Sequence, residues 1–215
     1  MDENRVGLGY QDFEEVRTEH IFYIDKTDFI REWWENADKV TLITRPRRFG
    51  KTLNMSTVEC FFSNRYAGRS DLFEGLSIWK EEKYRKLQGT FPVINLSFAN
   101  VKAVNCAGMK YQVTEVISDL YARNRYLLEG DLLDHNEREY YENVKCGMED
   151  TAAAGAVHRM AAFMQRYYGK KDFKAEYFFG SEQSEGGNHH FQSLRCIFRV
   201  YGGGSVCRIG CRRIW

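Results

Sequence analysis

Phe29, Ile30, Trp33 and Trp34 recur at helical spacing, and Asp25-Lys26-Thr27-Asp28 just ahead of them offers N-cap side chains. The pattern predicts a first helix running to about Asn36, with Asp25 or Asp28 as its cap. The period then changes. Val40-Thr41-Leu42-Ile43-Thr44 is a short β-branched and apolar run of the kind found in buried parallel strands. A polar loop, Arg45 to Gly50, separates it from Leu53, Met55, Val58, Phe61 and Phe62, which mark the apolar face of a helix starting at Lys51. A charged helix or turn region from Trp79 to Gln88 leads to a second strand within Phe91 to Phe98, where Pro92 sits at the front edge. Met109, Val113, Val116, Ile117 and Leu120 predict another amphipathic helix. A further one, capped by Asp150-Thr151, carries Val157, Met160, Ala161, Met164 and Tyr168. Two strands joined by a helix suggest a right-handed βαβ unit, and the alternation of elements predicts an α/β domain.

Composition narrows the picture. The 215 residues include 31 Lys plus Arg and 30 Asp plus Glu, so the net charge of +1 argues against a generically cationic nucleic-acid binder. With 43% hydrophobic and 15% aromatic residues and only 2 prolines, the chain is core-forming. Its apolar runs fall far short of the roughly 20 residues that a membrane helix needs, and Met1 to Arg5 lacks a signal-peptide core. A cytoplasmic location with reduced thiols is therefore expected for the six cysteines. His189, His190, Cys196, Cys207 and Cys211 are zinc-ligand types, but no Cys-x-x-Cys knuckle is among them, so a zinc site is not expected. His20, His135 and His158 stand apart from any nucleophile in the chain.

Candidate chemistry concentrates in Pro46-Arg47-Arg48-Phe49-Gly50-Lys51-Thr52, because Gly-Lys-Thr between a strand and a helix is the end of a phosphate-binding loop. Glycine lets backbone N–H groups approach phosphate. A lysine there reaches the β and γ phosphates, and the threonine hydroxyl ligates magnesium. The helix start adds its dipole and its free N–H groups. The usual pattern has a first glycine where this chain has Arg45, and Arg45, Arg47, Arg48 and Lys51 gather positive charge around the loop. Two plainer readings stand beside this one: a chance Gly-Lys-Thr at a helix start, and arginines that are merely solvated or contact an acidic partner.

These residues resemble the predicted AAA-ATPase-like proteins of bacteria, P-loop NTPases often joined to a C-terminal nuclease-like domain. Tyr23-Ile24-Asp25-Lys26-Thr27 resembles the family's opening motif, and Lys39 to Asn54 its variant phosphate loop, in which arginine replaces the first glycine. Leu72-Phe73-Glu74-Gly75-Leu76 and Pro92-Val93-Ile94 are similar to later segments, and the likeness covers about residue 7 to Lys171. The resemblance implies an α/β fold with a P-loop NTPase-like partial parallel sheet and flanking helices, occupying residues 1–171. It implies ATP and Mg2+ as cofactors, bound by Pro46, Arg47, Arg48, Phe49, Gly50, Lys51, Thr52 and Leu53. Lys51 would be the catalytic cation and Thr52 the metal ligand, with the Asp25-Lys26-Thr27 segment near the nucleotide.

The family's second acidic element, an aliphatic strand ending in Asp-Glu-Tyr-Asp, is missing after Lys171, and no aspartate follows Asp172. From Gly180 to Trp215 there are five arginines against two glutamates. Residues 172–215 are therefore expected to be an irregular tail, out-of-frame or disordered. Nucleotide binding is the leading expectation, with magnesium-dependent hydrolysis implied by the resemblance. The alternatives are a non-enzymatic truncated module that binds a nucleic-acid backbone or a protein partner through Arg45, Arg47 and Arg48, and a poorly folded remnant.

Overall fold

The computed structural model describes residues 5–36, 40–44, 50–98, 100–169, 173–181 and 195–201, with the backbone alone for 40–44, 173–181 and 195–201. The described residues are mostly helical. In chain order they form α1 (Phe13–Thr18), α2 (Asp28–Asn36), β1 (Val40–Thr44), α3 (Lys51–Phe62), α4 (Glu82–Arg85), β2 (Val93–Ser97), α5 (Cys106–Arg123), α6 (His135–Asn143), α7 (Asp150–Tyr168), β3 (Phe173–Ser181) and β4 (Arg195–Tyr201). Short 3-10 turns at Ser70–Phe73 and Ser77–Lys80 lie between α3 and α4.

The strands form a mixed sheet in the order β1-β3-β4-β2. Only β1 and β3 run parallel, with Val40 opposite Tyr177 and Thr44 opposite Ser181. β3 with β4, and β4 with β2, are antiparallel. The expected P-loop NTPase-like parallel sheet is thus corrected: the described chain is mainly helical, β2 is the one strand whose side chains are described, and two of the three strand pairings are antiparallel. β1 and β2 do point the same way, but they sit at opposite edges rather than side by side, so they do not make an adjacent βαβ pair. The irregular tail expected over 172–215 is corrected for 173–181 and 195–201, which form β3 and β4 between the other two strands; the rest of that stretch lies outside the described residues. The pattern carried a sign of this. Phe173, Ala175 and Tyr177 alternate with Lys174 and Glu176 before the apolar Phe178-Phe179, and Cys196, Phe198 and Val200 occupy alternate positions of β4 among Arg195, Ile197 and Arg199.

Two hydrophobic clusters meet at β2. Its pleat sends alternate residues to opposite faces. Val93 joins the cluster of α1 to α4, while Ile94 and Leu96 join that of α5 to α7. Asn95, on the Val93 side, donates its amide to the Glu59 carboxylate of α3. The first cluster is aromatic: Phe73 stands 5.2 Å from the Phe13 ring and 5.2 Å from the Phe61 ring, all three fully buried. In the second, Met160 and Ala156 of α7 are wholly buried, and the Tyr121 hydroxyl donates to the Ala156 carbonyl at 2.8 Å.

Local signals explain the helix ends. α1 begins where the Asp12 side chain accepts from Glu15 N, and α6 where Asp134 and Glu137 form a reciprocal capping box. α7 starts after Glu149, which makes no side-chain cap. The expected caps Asp150 and Thr151 are already helical, and Asp150 pairs with Lys110 instead. Gly169 closes α7 in the left-handed conformation (φ 60°), receiving the carbonyls of Gln165 and Arg166 on its N–H.

Because Phe73 bridges α1, α3 and the 3-10 turns, Phe73→Ala is expected to cost about 3 to 5 kcal/mol. Urea denaturation of the full chain measures this, and a loss below about 1 kcal/mol would contradict the packing described.

Candidate phosphate-binding site

α3 is the helix that the site depends on. It is buried nearly all round: Asn54, Met55, Ser56, Thr57, Val58, Cys60, Phe61 and Phe62 are all inside. A helix so enclosed is held by tertiary packing rather than by propensity. Ser56 Oγ accepts the Phe13 N–H at 2.9 Å, which ties α1 to it, and the chain after its C-terminus bonds back through Asn64 N to Phe91 O at 2.7 Å.

Its first turn differs from the rest. Gly50 is the N-cap with φ 73° and ψ 20°, a left-handed conformation that L side chains rarely adopt. Gly50 has no side chain with which to cap the helix, and the first turn holds no acidic residue. Such an end presents backbone N–H groups and the positive pole of the dipole. Lys51 opens the helix at 8% exposure, while Thr52 and Leu53 are half-buried beside it. Of the residues expected to bind nucleotide, Gly50, Lys51, Thr52 and Leu53 are therefore consecutive at one helix end. Pro46, Arg47, Arg48 and Phe49, with Arg45, lie outside the described residues.

Lys26 belongs to the Asp25-Lys26-Thr27 segment that the resemblance places near the nucleotide. Its Nζ lies 3.9 Å from the point where a Cβ on Gly50 would stand. The backbone that carries it is pinned on either side. Asp25 Oδ1 accepts from Thr27 N at 2.9 Å and from Thr27 Oγ1 at 2.7 Å, and Asp25 Oδ2 accepts from Ser77 N at 2.6 Å. The fully buried Thr27 Oγ1 in turn accepts from Ile78 N at 3.2 Å. Asp25 is thus an Asx-turn residue bolted to the Ser77–Lys80 turn, not the expected helix cap. Asp28 begins α2 and pairs with Arg31 at 3.3 Å. The 72–78 segment is fastened from the other side too, since Arg17 donates to the carbonyls of Leu72 and Glu74, each at 2.8 Å.

Partial burial pushes the Asp25 carboxyl up, but the hydrogen bonds from Thr27 and Ser77 outweigh it and hold the group below its ordinary range. Elsewhere on α3, burial raises the Cys60 thiol to about 12, which removes it as a nucleophile at neutral pH.

A polyphosphate fits this end: a helix N-terminus, a left-handed glycine and lysines on two elements. For a divalent ion the site offers the Thr52 hydroxyl. Among the described residues no group of three His, Cys, Asp or Glu side chains stands together to hold one.

A family model described as Predicted AAA-ATPase matches residues 7–171. The chain belongs to that family. Membership brings nucleotide and magnesium use as the family's general expectation. The match takes in β1, α3, β2 and α7 and ends before β3. The AAA-ATPase-like chain is also similar to an uncharacterized protein in vnfD 5'region of Azotobacter chroococcum mcd 1, at 28% identity over 119 residues. That stretch is 55% of this chain and 22% of the relative, so the chain matches only about a fifth of the relative's length. No solved structure matches significantly. Among the described residues no helix is long and apolar enough to cross a membrane.

Asp25→Asn is expected to lower stability at pH 7 by about 1 kcal/mol, the net worth of charge-assisted hydrogen bonds at a partly exposed site. A carboxyl held below its unfolded pKa stabilises fully above that value, about 3.9, and the contribution is lost as pH falls through the folded pKa. The gap between wild type and Asp25→Asn in thermal unfolding should accordingly close in acid; a gap that widens there contradicts the assignment.

Proposed function

We propose that this AAA-ATPase-like chain binds ATP with magnesium at the N-terminus of α3. The observation that carries the reading is Gly50 in the left-handed conformation at the start of a helix, followed at once by Lys51 and Thr52. Backbone N–H groups there donate to phosphate oxygens, and Lys51 supplies a point charge to the β and γ phosphates. Thr52 would offer its hydroxyl to a magnesium ion bound with the nucleotide. Pro46, Arg47, Arg48 and Phe49 complete the loop in this reading, with the arginines drawing the polyanion in.

Bound ATP supplies the reactive γ-phosphoryl group. What the chain's own residues do is hold it: the α3 terminus orients the phosphates, and Lys51 balances their charge. Hydrolysis of the γ-phosphate is the reaction that family membership suggests. It needs a further group to place the attacking water, and we assign none among the described residues.

Lys51→Ala is expected to raise the Kd for magnesium-ATP by about 10- to 100-fold, the range for loss of a charged hydrogen-bond partner. Thr52→Ala is expected to remove most of the gain that magnesium brings to binding. Titration calorimetry with ATP, ADP and AMP measures both, and affinity should rise with phosphate number. Unchanged affinity in Lys51→Ala contradicts the proposal. If binding instead ignores phosphate number and collapses steeply with salt on an oligonucleotide, the arginine loop serves a nucleic-acid backbone.

A further inference from the structure

We propose that the arm over residues 5–10, with the 20–24 segment beside it, is a docking surface for a second protein, which it takes through an extended segment carrying large apolar side chains among lysines or arginines. The arm lies antiparallel to the chain that follows α1, as three contacts in register show. Phe22 N donates to Arg5 O at 3.0 Å. Gly7 packs so closely on Ile21 that a Cβ there would stand 2.8 Å from Ile21 Cγ2. The Tyr10 hydroxyl donates to Glu19 Oε2 at 2.7 Å.

Alternation along the pair then sorts the side chains. Ile21, at 6% exposure, and Tyr23, whose ring stands 5.3 Å from that of Phe13, turn to the aromatic core. Phe22 and Ile24 turn to solvent at 52% and 65% exposure, and Val6 and Leu8 on the arm do so at 71% and 92%. Of the seven large apolar side chains exposed among the described residues, these are four. Scattered exposed hydrophobics are ordinary, but four gathered by one backbone pairing mark an interaction site.

The surroundings say what kind of partner fits. Phe22 lines a groove of about 660 Å³ with Asp71 and Glu74. Thr18 joins it to a second groove of about 470 Å³, walled by Asp12, Glu14, Glu15 and Glu19. The two cations among these carboxylates are already engaged: Arg17 donates to the Leu72 and Glu74 carbonyls, and Arg69 is shared by Glu14 and Asp71. Glu15 and Glu74 are exposed and, among the described residues, stand outside those ion pairs. The apolar stripe is therefore bordered by net negative charge, and this decides between occupants. An anionic lipid surface is repelled by such a border, and so is the same border of a second copy across a two-fold axis. A basic, apolar segment answers both parts at once, its hydrophobic side chains covering Phe22, Ile24, Val6 and Leu8 while its cations face Glu15 and Glu74.

The test uses the full chain and three labelled synthetic peptides: leucine alternating with lysine, leucine with glutamate, and serine with lysine. Fluorescence anisotropy should show the leucine–lysine peptide bound about tenfold more tightly than either control. Combining Phe22→Ser with Ile24→Ser should raise its Kd about tenfold, and combining Glu15→Gln with Glu74→Gln about threefold, with the Tm of both variants at the wild-type value because the side chains are on the surface. Affinity that ignores either pair of substitutions, or a leucine–glutamate peptide held as tightly, overturns the proposal. A Tm that falls in the Phe22 and Ile24 variant also overturns it, since those side chains then serve the fold. Sedimentation of the protein alone and with phosphatidylserine vesicles tests the other occupants. A dimer, or vesicle binding, that the Phe22 and Ile24 substitutions abolish assigns the stripe to a second copy or to a membrane and overturns the proposal.

Discussion

The burial of α3 is the constraint on which the rest of the structure depends. A helix enclosed along most of its length must receive partners on several sides, and this one does. Phe61 packs on Phe73, Phe62 stacks with Trp34 at 5.7 Å, Ser56 holds α1, and Glu59 takes the amide of Asn95 on β2. These contacts fix the helix axis and therefore fix where its first turn ends. A phosphate site made of backbone N–H groups needs such fixity, because its donors cannot adjust by changing rotamer. The same packing that excludes water from Met55, Val58 and Phe61 leaves the start of the helix, where Lys51 and Thr52 follow Gly50, as the end that can meet a ligand.

The second organising element is β2, a single strand that serves two cores. Val93 and Asn95 belong to the α3 side, and Ile94 and Leu96 to the side of α5 and α7. The apolar Val93, Ile94 and Leu96 on its two faces follow from this strand having helices on both sides. Tyr121, Tyr141 and Tyr126 in the second core carry hydroxyls whose ionisation is pushed up, mainly by burial. Tyr121 and Tyr141 act as neutral donors to Ala156 O and Tyr121 O, and the Tyr126 hydroxyl shares a hydrogen bond with that of Tyr168.

Elements with strong local signals were legible in sequence. The first long helix ends at Asn36, β1 spans Val40–Thr44 and α3 starts at Lys51, each where its apolar period and loop residues place it. Sheet order was not legible, because β1 and β2 look equally like buried parallel strands and nothing local says that two later strands intervene. β3 and β4 were missed because the resemblance directs attention to an aliphatic run, whereas these strands alternate polar and apolar residues. α6 was missed although Asp134 and Glu137 carry a capping-box spacing, since Tyr140 and Tyr141 give it only a short apolar face. At the site, Gly50, Lys51 and Thr52 followed from their types and spacing. The Asp25-Lys26-Thr27 segment was placed near the nucleotide by the resemblance alone, because the approach of Lys26 to Gly50 depends on Asp25 and Thr27 binding a turn that lies some fifty residues further along the chain.

The central claim is that the backbone donors at the start of α3 hold a triphosphate. Amide hydrogen exchange of the peptide spanning Gly50 to Leu53, followed with and without magnesium-ATP, tests it most directly, since it reads those N–H groups themselves. The account predicts protection of this peptide by ATP, weaker protection by AMP, and little change in α7. Exchange at Gly50 to Leu53 that is indifferent to saturating magnesium-ATP would contradict it.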